Sequence, residues 1–304
     1  MKRDSLRWLL PLLIVFAAPA LAQDAGTVDD KPLPPLAHPD LPSTPAKELF
    51  GRVTTPDPGP PRSIGYYSHG CLEGAVALPI NGPAWQVMRL SRHRNWGNPR
   101  LIAFIERLAA KAKTAGWNGL LIGDMSQPRG GPMLTGHASH QIGLDADIWF
   151  TPMPNHILSR EEREFMMASN MVRPDGLDVD PKVWTPVHTA LVRTVAEDPE
   201  TERVFVNAAI KKALCRQAGS DRTWLAKVRP WWGHNYHFHV RLYCPPGSPQ
   251  CERQPPPHPG DGCNELGYWF SAGVLHPKVK PVPPKHLMTL AALPRACRSV
   301  LKAP

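Results

Sequence analysis

The 304-residue sequence lacks several patterns that mark common protein classes. No two of its six cysteines form a C-x-x-C pair, which argues against a zinc ribbon. No dense run of lysine and arginine is interleaved with aromatic residues, which argues against a nucleic-acid partner. No internal repeat is visible, and no apolar stretch after residue 22 is long enough for stable membrane insertion. What remains is a chain with 42% hydrophobic residues, ample for one folded core.

The N-terminus has the order of a secretory signal peptide. Three cations precede an apolar run at 8–18, and Ala-Leu-Ala at 20–22 reads as a cleavage site. Residues 1–22 are therefore predicted to be cleaved during export, leaving a mature chain that begins near Gln23. Removing three cations and one anion lowers the formal charge from +9 to +7, so the basic character belongs to the mature protein. A basic surface favours acidic partners such as a cell-wall polymer.

All six cysteines lie after the predicted cleavage site. An even number in an exported chain predicts disulfides, and six thiols allow 15 pairings. Cys244 and Cys251 flank a Pro-Pro-Gly turn, so they are expected to close a small local loop. The other four cysteines are expected to join distant segments, with their pairing left open by the spacing.

Proline-rich stretches indicate the limits of the folded domain. Residues 23–62 are rich in proline and lack apolar periodicity, which predicts an extended linker or a wrapping arm. Two further proline-rich stretches, at 254–260 and 276–285, indicate an irregular C-terminal segment. The folded unit is therefore expected to be a single domain over residues 63–304.

Within that domain, helical and strand patterns are mixed. Apolar residues at three- and four-residue spacing predict a helix over 101–112 that stops at Gly116. Ser159 and Glu162 resemble a capping box that begins a second helix, and a third is predicted from Pro181 towards Glu197. Short apolar or alternating segments predict strands at 120–123, 144–150, 204–206 and 237–243. Because helices do not alternate regularly with strands, the predicted class is α+β, with a small antiparallel sheet flanked by helices and disulfide-tied loops.

The first chemically suggestive segment covers residues 136–150. Side chains alternate along a strand, so Asp145 and Asp147 are expected on one face, opposite aliphatic neighbours. His140 precedes Asp147 by seven positions, an odd separation that would point the two apart in one continuous strand. Gly143 permits a turn, so His140 is expected to lie on a loop that folds back towards Asp147.

The second segment places His237 and His239 on one face of a strand. A histidine in a strand is often only a core or surface residue, and acidic residues often bond to turns. Together, however, the two segments supply the imidazole and carboxylate donors that zinc prefers. Three protein ligands leave a fourth position for water, which is typical of a catalytic zinc site. The residues therefore predict a zinc site with ligands from both segments, and they leave open which of His237 and His239 binds the metal and which handles protons.

These motifs resemble a known group of metallopeptidases. Ser139-x-His140 followed by Asp147, with a later His237-x-His239, is similar to the pattern of lysostaphin-type peptidases, D-Ala-D-Ala peptidases and the hedgehog fold. The closer resemblance is to the penicillin-insensitive murein endopeptidases of Gram-negative bacteria. It includes four segments and covers about residues 63–300: GHASHQ at 136–141, VRPW at 228–231, HFHVRL at 237–242 and GDGC at 260–263.

The resemblance implies roles for individual residues. His140, Asp147 and His239 would be the zinc ligands, His237 the general base and His234 a supporting residue in the active site. Relatives also show signs of a second metal, which involves the residue matching His137 and an Asp-Gly-x-His sequence. That sequence here is Asp175-Gly-Leu-Asp178, so a carboxylate replaces the histidine. Because a carboxylate can bind zinc, the second site is weakened rather than excluded.

The resemblance also implies the disulfides Cys71–Cys297, Cys215–Cys263 and Cys244–Cys251 and a periplasmic location. The implied activity is hydrolysis of peptide crosslinks of the D-alanyl–meso-diaminopimelyl type between the stem peptides of peptidoglycan. It would be insensitive to β-lactams because no serine is acylated.

Two alternatives to this activity stay open at this stage. A D,D-carboxypeptidase would trim terminal D-Ala and is expected to have an arginine in its pocket for the free carboxylate of its substrate. A non-catalytic zinc-containing module would only bind the cell wall. Degenerate modules typically lose a ligand, whereas His140, Asp147 and His239 are all present.

Overall fold

A seven-stranded sheet lies at the centre of the fold. The computed structural model describes residues 33–277 and 287–304. The strands are β1 Arg62–Tyr66, β2 His69–Glu73, β3 Val76–Ala77, β4 Asn81–Gly82, β5 Trp85–Val87, β6 Trp96–Gly97, β7 Leu120–Ile122, β8 Asp145–Trp149, β9 Thr201–Val206, β10 Val228–Pro230 and β11 His237–Leu242. The sheet order is β10-β9-β11-β8-β7-β5-β4, while β1 pairs with β2 and β3 with β6. The predicted signal peptide at 1–22 lies outside the described residues, as does 278–285 of the predicted proline-rich stretch.

The centre of the sheet, from β9 through β11 and β8 to β7, is antiparallel. Parallel pairs flank it, β10 with β9 on one side and β5 with β7 on the other. The helices are α1 Ala46–Phe50, α2 Pro99–Thr114, α3 Arg160–Phe165, α4 Pro186–Glu197, α5 Ala208–Gln217, α6 Ala272–Leu275 and α7 Ala296–Lys302. Short 3-10 helices cover Leu90–Arg92, Thr223–Lys227 and Cys263–Phe270. The predicted α+β class is confirmed, and so is the antiparallel pairing at the positions that carry the predicted site.

The two faces of the central strands have different chemistry. One face of β8 and β11 contributes Ala146, Ile148, Phe238 and Val240 to the main core, together with the apolar stripes of α2, α4 and α5. Because side chains alternate along a strand, the other face carries the acidic residues and histidines. The apolar packing on one side therefore fixes the position of every polar side chain on the other.

The predicted helices are present, with one boundary moved. Helix α2 begins after Asn98, whose side chain accepts a hydrogen bond from the backbone N–H of Arg100, and the capping box of Ser159 and Glu162 starts α3. The third predicted helix begins at Pro186 rather than at Pro181. Pro181 is placed in a turn, and Pro186 occupies the first-turn position that proline favours.

The proline-rich segment predicted at 23–62 packs on the domain where the structure describes it. Ala46 and Phe50 of α1 are fully buried, in a second apolar cluster with β2 and α7. The Cys71–Cys297 disulfide lies inside this cluster and joins β2 to α7. Cys215–Cys263 and Cys244–Cys251 are also formed, so the three predicted pairings are confirmed.

Across the part of the chain that the structure describes, we find no helix with both the length and the apolarity required for a transmembrane span.

The disulfides differ greatly in the length of chain that they close, which gives a test of their contribution to stability. Replacing Cys71 and Cys297 by alanine should lower the free energy of unfolding by about 5 kcal/mol, because the bond restrains a very long loop in the unfolded chain. Replacing Cys244 and Cys251, which close a seven-residue separation, should cost about 2 kcal/mol. Urea unfolding of both double variants measures the difference. Equal losses would show that the stabilisation does not come from loop closure.

Candidate metal centre

The register between β8 and β11 sets the polar residues side by side. His237 lies opposite Trp149, His239 opposite Asp147, and Arg241 opposite Asp145. The paired side chains point to the same side of the sheet, because directly opposed residues in antiparallel strands share a face. Two histidines, two carboxylates and an arginine thus meet on one buried surface.

His140 reaches this surface from the loop before β8, as the sequence predicts. Gly143 has a φ of +70°, and a Cβ atom there would lie 2.4 Å from Leu72 Cδ2, so the turn requires glycine. His140 itself has a φ of +69°, a left-handed conformation that costs a non-glycine residue about 1 kcal/mol or more. Its backbone N–H donates to Asp145 Oδ2 at 3.1 Å. That hydrogen bond helps to hold the unfavourable backbone conformation.

The possible metal donors converge on Asp147. His239 Nδ1 lies 3.1 Å from Asp147 Oδ1, and His140 Nε2 lies 3.5 Å from the same oxygen. His137 Nε2 lies 3.4 Å from Asp147 Oδ2. Donor atoms of His137, His140 and Asp147 all lie within 4.8 Å of one another. His239 does not belong to this group of donors within 4.8 Å of one another, although it is the nearest of the three histidines to the Asp147 carboxylate.

Several of these atoms are buried without an aligned hydrogen-bond partner among the described residues. They are His140 Nδ1, His140 Nε2, Asp147 Oδ1, His237 Nδ1 and His239 Nε2. A buried polar atom that makes no hydrogen bond costs about 1–3 kcal/mol, so native structures rarely leave several together. A cation bound between the rings and the carboxylate would satisfy His140 and Asp147. The mixture of imidazole nitrogen and carboxylate oxygen suits zinc.

The protonation states also favour a cation. Burial lowers the pKa of both His140 and His237, so their rings are held neutral, as a metal ligand or a proton acceptor must be. Burial opposes ionisation of Asp147, but His237 and His140 keep its pKa well below the usual range. For His239, burial lowers the pKa, but the carboxylates of Asp145 and Asp147 outweigh it and raise the pKa to about 9. A bound cation would replace the proton of His239.

Asp145 supports the site without belonging to the predicted ligand set. Its fully buried carboxylate accepts hydrogen bonds from Arg241 Nε at 2.9 Å and Arg241 Nη2 at 3.1 Å. His239 Nε2 lies 3.2 Å from Asp145 Oδ1. A carboxylate next to the outer nitrogen of a ligating histidine fixes the orientation of its ring. Asp145 was predicted to lie on the acidic face of the strand, without a role in the site. Arg241 follows His237 and His239 at alternate positions of the strand. Its positive charge was therefore a signal that a carboxylate partner, Asp145, lies on the same face.

His237 and His234 lie together at the edge of the donor cluster. His237 Nε2 is 3.7 Å from Asp147 Oδ1, and the ring centres of His237 and His234 are 4.8 Å apart. His234 has a φ of +52° and contacts the backbone oxygen of Trp232 through Nδ1 at 2.7 Å. Burial and then the nearby His237 lower the pKa of His234 to about 3, so the ring is neutral and its Nδ1 is the donor.

A second carboxylate, Asp124, lies beside His137 and was not identified from the sequence. Asp124 Oδ2 lies 3.0 Å from His137 Nε2, 3.0 Å from Arg92 Nη1 and 2.8 Å from Arg94 Nη1. Burial raises the pKa of Asp124, but His137 and the arginines outweigh it, so the carboxylate is ionised. A carboxylate directly after the buried strand β7 was the available signal.

The two carboxylates predicted to assist His137 are engaged elsewhere. Asp175 forms an ion pair with Arg173, and Asp178 accepts hydrogen bonds from both terminal nitrogens of Arg216 at 3.0 Å. Within the described ranges, neither carboxylate belongs to the cluster that could hold a metal ion. The structure therefore brings His137 to the first site but does not bring Asp175 and Asp178 with it.

Comparisons with known proteins give a consistent result. Residues 63–302 match the family model described as penicillin-insensitive murein endopeptidase. Proteins of that name from Klebsiella pneumoniae subsp. pneumoniae and Citrobacter koseri are 46% identical over 251 residues and 44% identical over 254 residues. Each match covers 82% of this chain and 89% of the relative. The protein of the same name from Pectobacterium atrosepticum is 43% identical over 257 residues, which cover 84% of this chain and 89% of the relative.

If a cation satisfies the buried donors, zinc should raise the melting temperature. Zinc at about a thousand times its dissociation constant stabilises a folded protein by about 4 kcal/mol. For a domain of this size that corresponds to about 10 °C. A chelator should reverse the shift, His140→Ala should abolish it, and metal analysis should find one ion per chain. The exposed His156 is the control, since His156→Ala should retain the full shift. A chelator-insensitive melting temperature would contradict the assignment.

Proposed function

Because this chain belongs to the penicillin-insensitive murein endopeptidase family, a family of peptidases, we propose that it is a zinc-dependent hydrolase of peptidoglycan. The proposed substrates are the stem-peptide crosslinks in which a D-alanyl carbonyl is joined to meso-diaminopimelic acid. The observation that carries the proposal is the convergence of the buried imidazoles of His140 and His239 on Asp147 Oδ1, an oxygen with no hydrogen-bond partner among the described residues. The relatives bear the name murein endopeptidase, which supports a peptide bond of the cell wall as the target.

The proposed zinc ligands are His140, Asp147 and His239. When bound, zinc acts as a Lewis acid towards the scissile carbonyl and makes water a usable nucleophile near neutral pH. The chain's own contribution is to hold the donors rigidly, since Asp147 and His239 are on paired strands. Their burial keeps bulk water away from the reacting groups and strengthens the local electrostatic interactions.

His237 is the proposed general base. Its ring is neutral because burial lowers its pKa, and its Nε2 lies 3.7 Å from Asp147 Oδ1, on the side of the proposed zinc ligands. It can therefore accept the proton of the attacking water and pass it to the leaving amine. His234 is proposed to support His237 through ring contact, with its own backbone-bound Nδ1 fixing which nitrogen carries the proton. Since no serine is acylated in this reaction, β-lactams should not inhibit it.

A second metal site stays a prediction. His137 would contribute from its position beside Asp124, but Asp175 and Asp178 would first have to exchange their arginine partners for the ion. Because each of those ion pairs already neutralises its carboxylate, we propose one zinc ion in the protein as purified. The proposed catalytic domain spans residues 63–304, preceded by the arm at 23–62 and the signal peptide at 1–22. The proposed location is the periplasm, which suits three disulfides and a cell-wall substrate.

The roles of the two strand histidines can be separated by mutation. His239→Ala should lose both zinc and cleavage, because it removes a ligand. His237→Ala should keep zinc and lower kcat by about a hundredfold to ten-thousandfold, the usual contribution of a general base. Zinc content and cleavage of crosslinked muropeptides are measured on the same preparations, with His156→Ala as the control. Full activity in His239→Ala would rule out the ligand assignment.

A substrate comparison separates the endopeptidase from the alternative activities. Crosslinked muropeptide dimers should be cleaved at least about ten times more efficiently than monomeric pentapeptides, because only the dimers extend beyond a single D-Ala on the leaving-group side of the bond. Penicillin should leave the rate unchanged. Faster release of D-Ala from pentapeptides would instead indicate a D,D-carboxypeptidase. Bound zinc without cleavage of either substrate would indicate the non-catalytic module.

A further inference from the structure

A cleft of about 280 Å³ opens beside the metal centre, on the side of His237. Its lining includes His237 and Asp147 from the site, the aromatic residues Trp149 and Tyr236, and Arg92. A substrate group bound next to the reacting carbonyl on this side therefore meets an arginine.

Arg92 differs from the other arginines near this cleft in having unused donors. The Arg92 side chain makes one hydrogen bond to a described residue, from Nη1 to Asp124 Oδ2. The side chain is 46% exposed. Arg89 donates to the backbone oxygens of residues 163, 164 and 166, and Arg94 is buried between Asp124 and Thr135. Of the two arginines that line the cleft, Arg92 is the one with a half-exposed side chain and with Nε and Nη2 bonded to no described residue.

The charge around Arg92 favours an anion. Asp124 is the carboxylate that faces it, and that single negative charge is shared with Arg94 and His137. Asp147, the other carboxylate in the lining, is a proposed zinc ligand. When the metal engages the negative charge of Asp147, the cleft keeps an excess of positive charge at the Arg92 end.

The proposed crosslink carries an anion at a suitable position. In a D-alanyl–meso-diaminopimelyl bond, the carbon attached to the scissile nitrogen also bears a free carboxylate. The carbon of that carboxylate is three bonds from the scissile carbonyl carbon, within about 4 Å of it. A carbonyl placed at the metal centre thus carries its carboxylate into the immediate surroundings. Terminal D-Ala has the same arrangement, so an arginine here serves either substrate and does not by itself indicate a carboxypeptidase.

We propose that Arg92 binds the substrate carboxylate next to the scissile nitrogen, with its Nη1 held by Asp124. This inference rests on the proposed function and identifies the leaving-group side of the cleft. Asp124 acts as a positioning residue, since it holds the Arg92 guanidinium and the His137 ring from one carboxylate oxygen. A charge-assisted arginine–carboxylate contact also orients the leaving group, which a neutral pocket would not do.

The test combines a change in the arginine with a change in the carboxylate. Crosslinked dimers are prepared with the free carboxylate or with the corresponding carboxamide, and are cleaved by wild-type protein and by Arg92→Gln. Amidation should lower kcat/KM of the wild type by about 10- to 100-fold, the usual effect of losing a hydrogen bond to a charged group. Arg92→Gln should show a similar loss on the acid and no further loss on the amide. Zinc content and melting temperature should match those of the wild type.

A binding measurement makes the result independent of turnover. The released stem peptide, whose end carbon carries a free amine and the carboxylate, is titrated into wild type and Arg92→Gln by calorimetry, alongside its amide. Arg92→Gln should weaken binding of the acid about 10- to 100-fold and leave binding of the amide unchanged. Arg100→Gln is the matched control, because Arg100 is equally exposed but pairs with Glu200 away from the cleft.

The outcomes distinguish this inference from the proposed function. Equal losses on acid and amide in Arg92→Gln, or a wild type indifferent to amidation, would overturn the role of Arg92 while leaving the endopeptidase activity intact. If zinc-loaded wild type cleaves no crosslinked substrate, the proposed function fails. The product titration then still decides the subsite, since loss of the preference for the acid in Arg92→Gln supports it and retention overturns it.

Discussion

The geometry of the candidate metal centre depends on the buried carboxylate of Asp145. One side chain holds the backbone N–H of His140, lies against the outer nitrogen of His239 and accepts two hydrogen bonds from Arg241. It therefore links the loop that carries one proposed ligand to the strand that carries another. A buried ion pair adds little net stability, but removing one member leaves an uncompensated charge and costs about 3–5 kcal/mol. The arrangement thus specifies geometry more than it contributes stability.

The architecture separates packing from chemistry across the thickness of one sheet. Helices α2, α4 and α5 cover the apolar face, and the other face presents Asp145, Asp147, His237 and His239. Because the core is close-packed, these polar side chains have little freedom to move relative to one another. The cleft combines residues of β8 and β11 with residues outside the sheet, Arg92 at the end of a 3-10 helix and Asp124 after β7 among them. A donor set on paired strands beside residues from connecting segments suits a site whose substrate contacts come from outside the sheet.

Local periodicity predicted the faces of β8 and β11 and the turn at Gly143, because alternation along a strand is a short-range property. It therefore brought His140, Asp147 and the two histidines of β11 into one hypothesis, and the resemblance to the family identified His239 as the ligand. It could not assign Asp145 or Asp124, because their partners are set by strand register and by tertiary packing. The same limit explains the third helix, where two prolines were equally suited to a first turn and only Pro186 occupies one. The metal-binding role of Asp175 and Asp178 was implied by the resemblance to the family alone, and a matching motif does not show that arginines occupy both carboxylates.

The Cys71–Cys297 bond also has a consequence for the order of assembly. The two cysteines are separated by 226 positions in the sequence. Cys71 lies in β2, where the backbone N–H of Gly70 donates to the side chain of Gln141, the residue after His140. In a chain that emerges N-terminus first, β2 has no covalent partner until residue 297 has emerged. The bond can therefore close only after the cysteines of the other two disulfides are already available for pairing. This disulfide therefore affects the order in which the fold is covalently joined, as well as its stability.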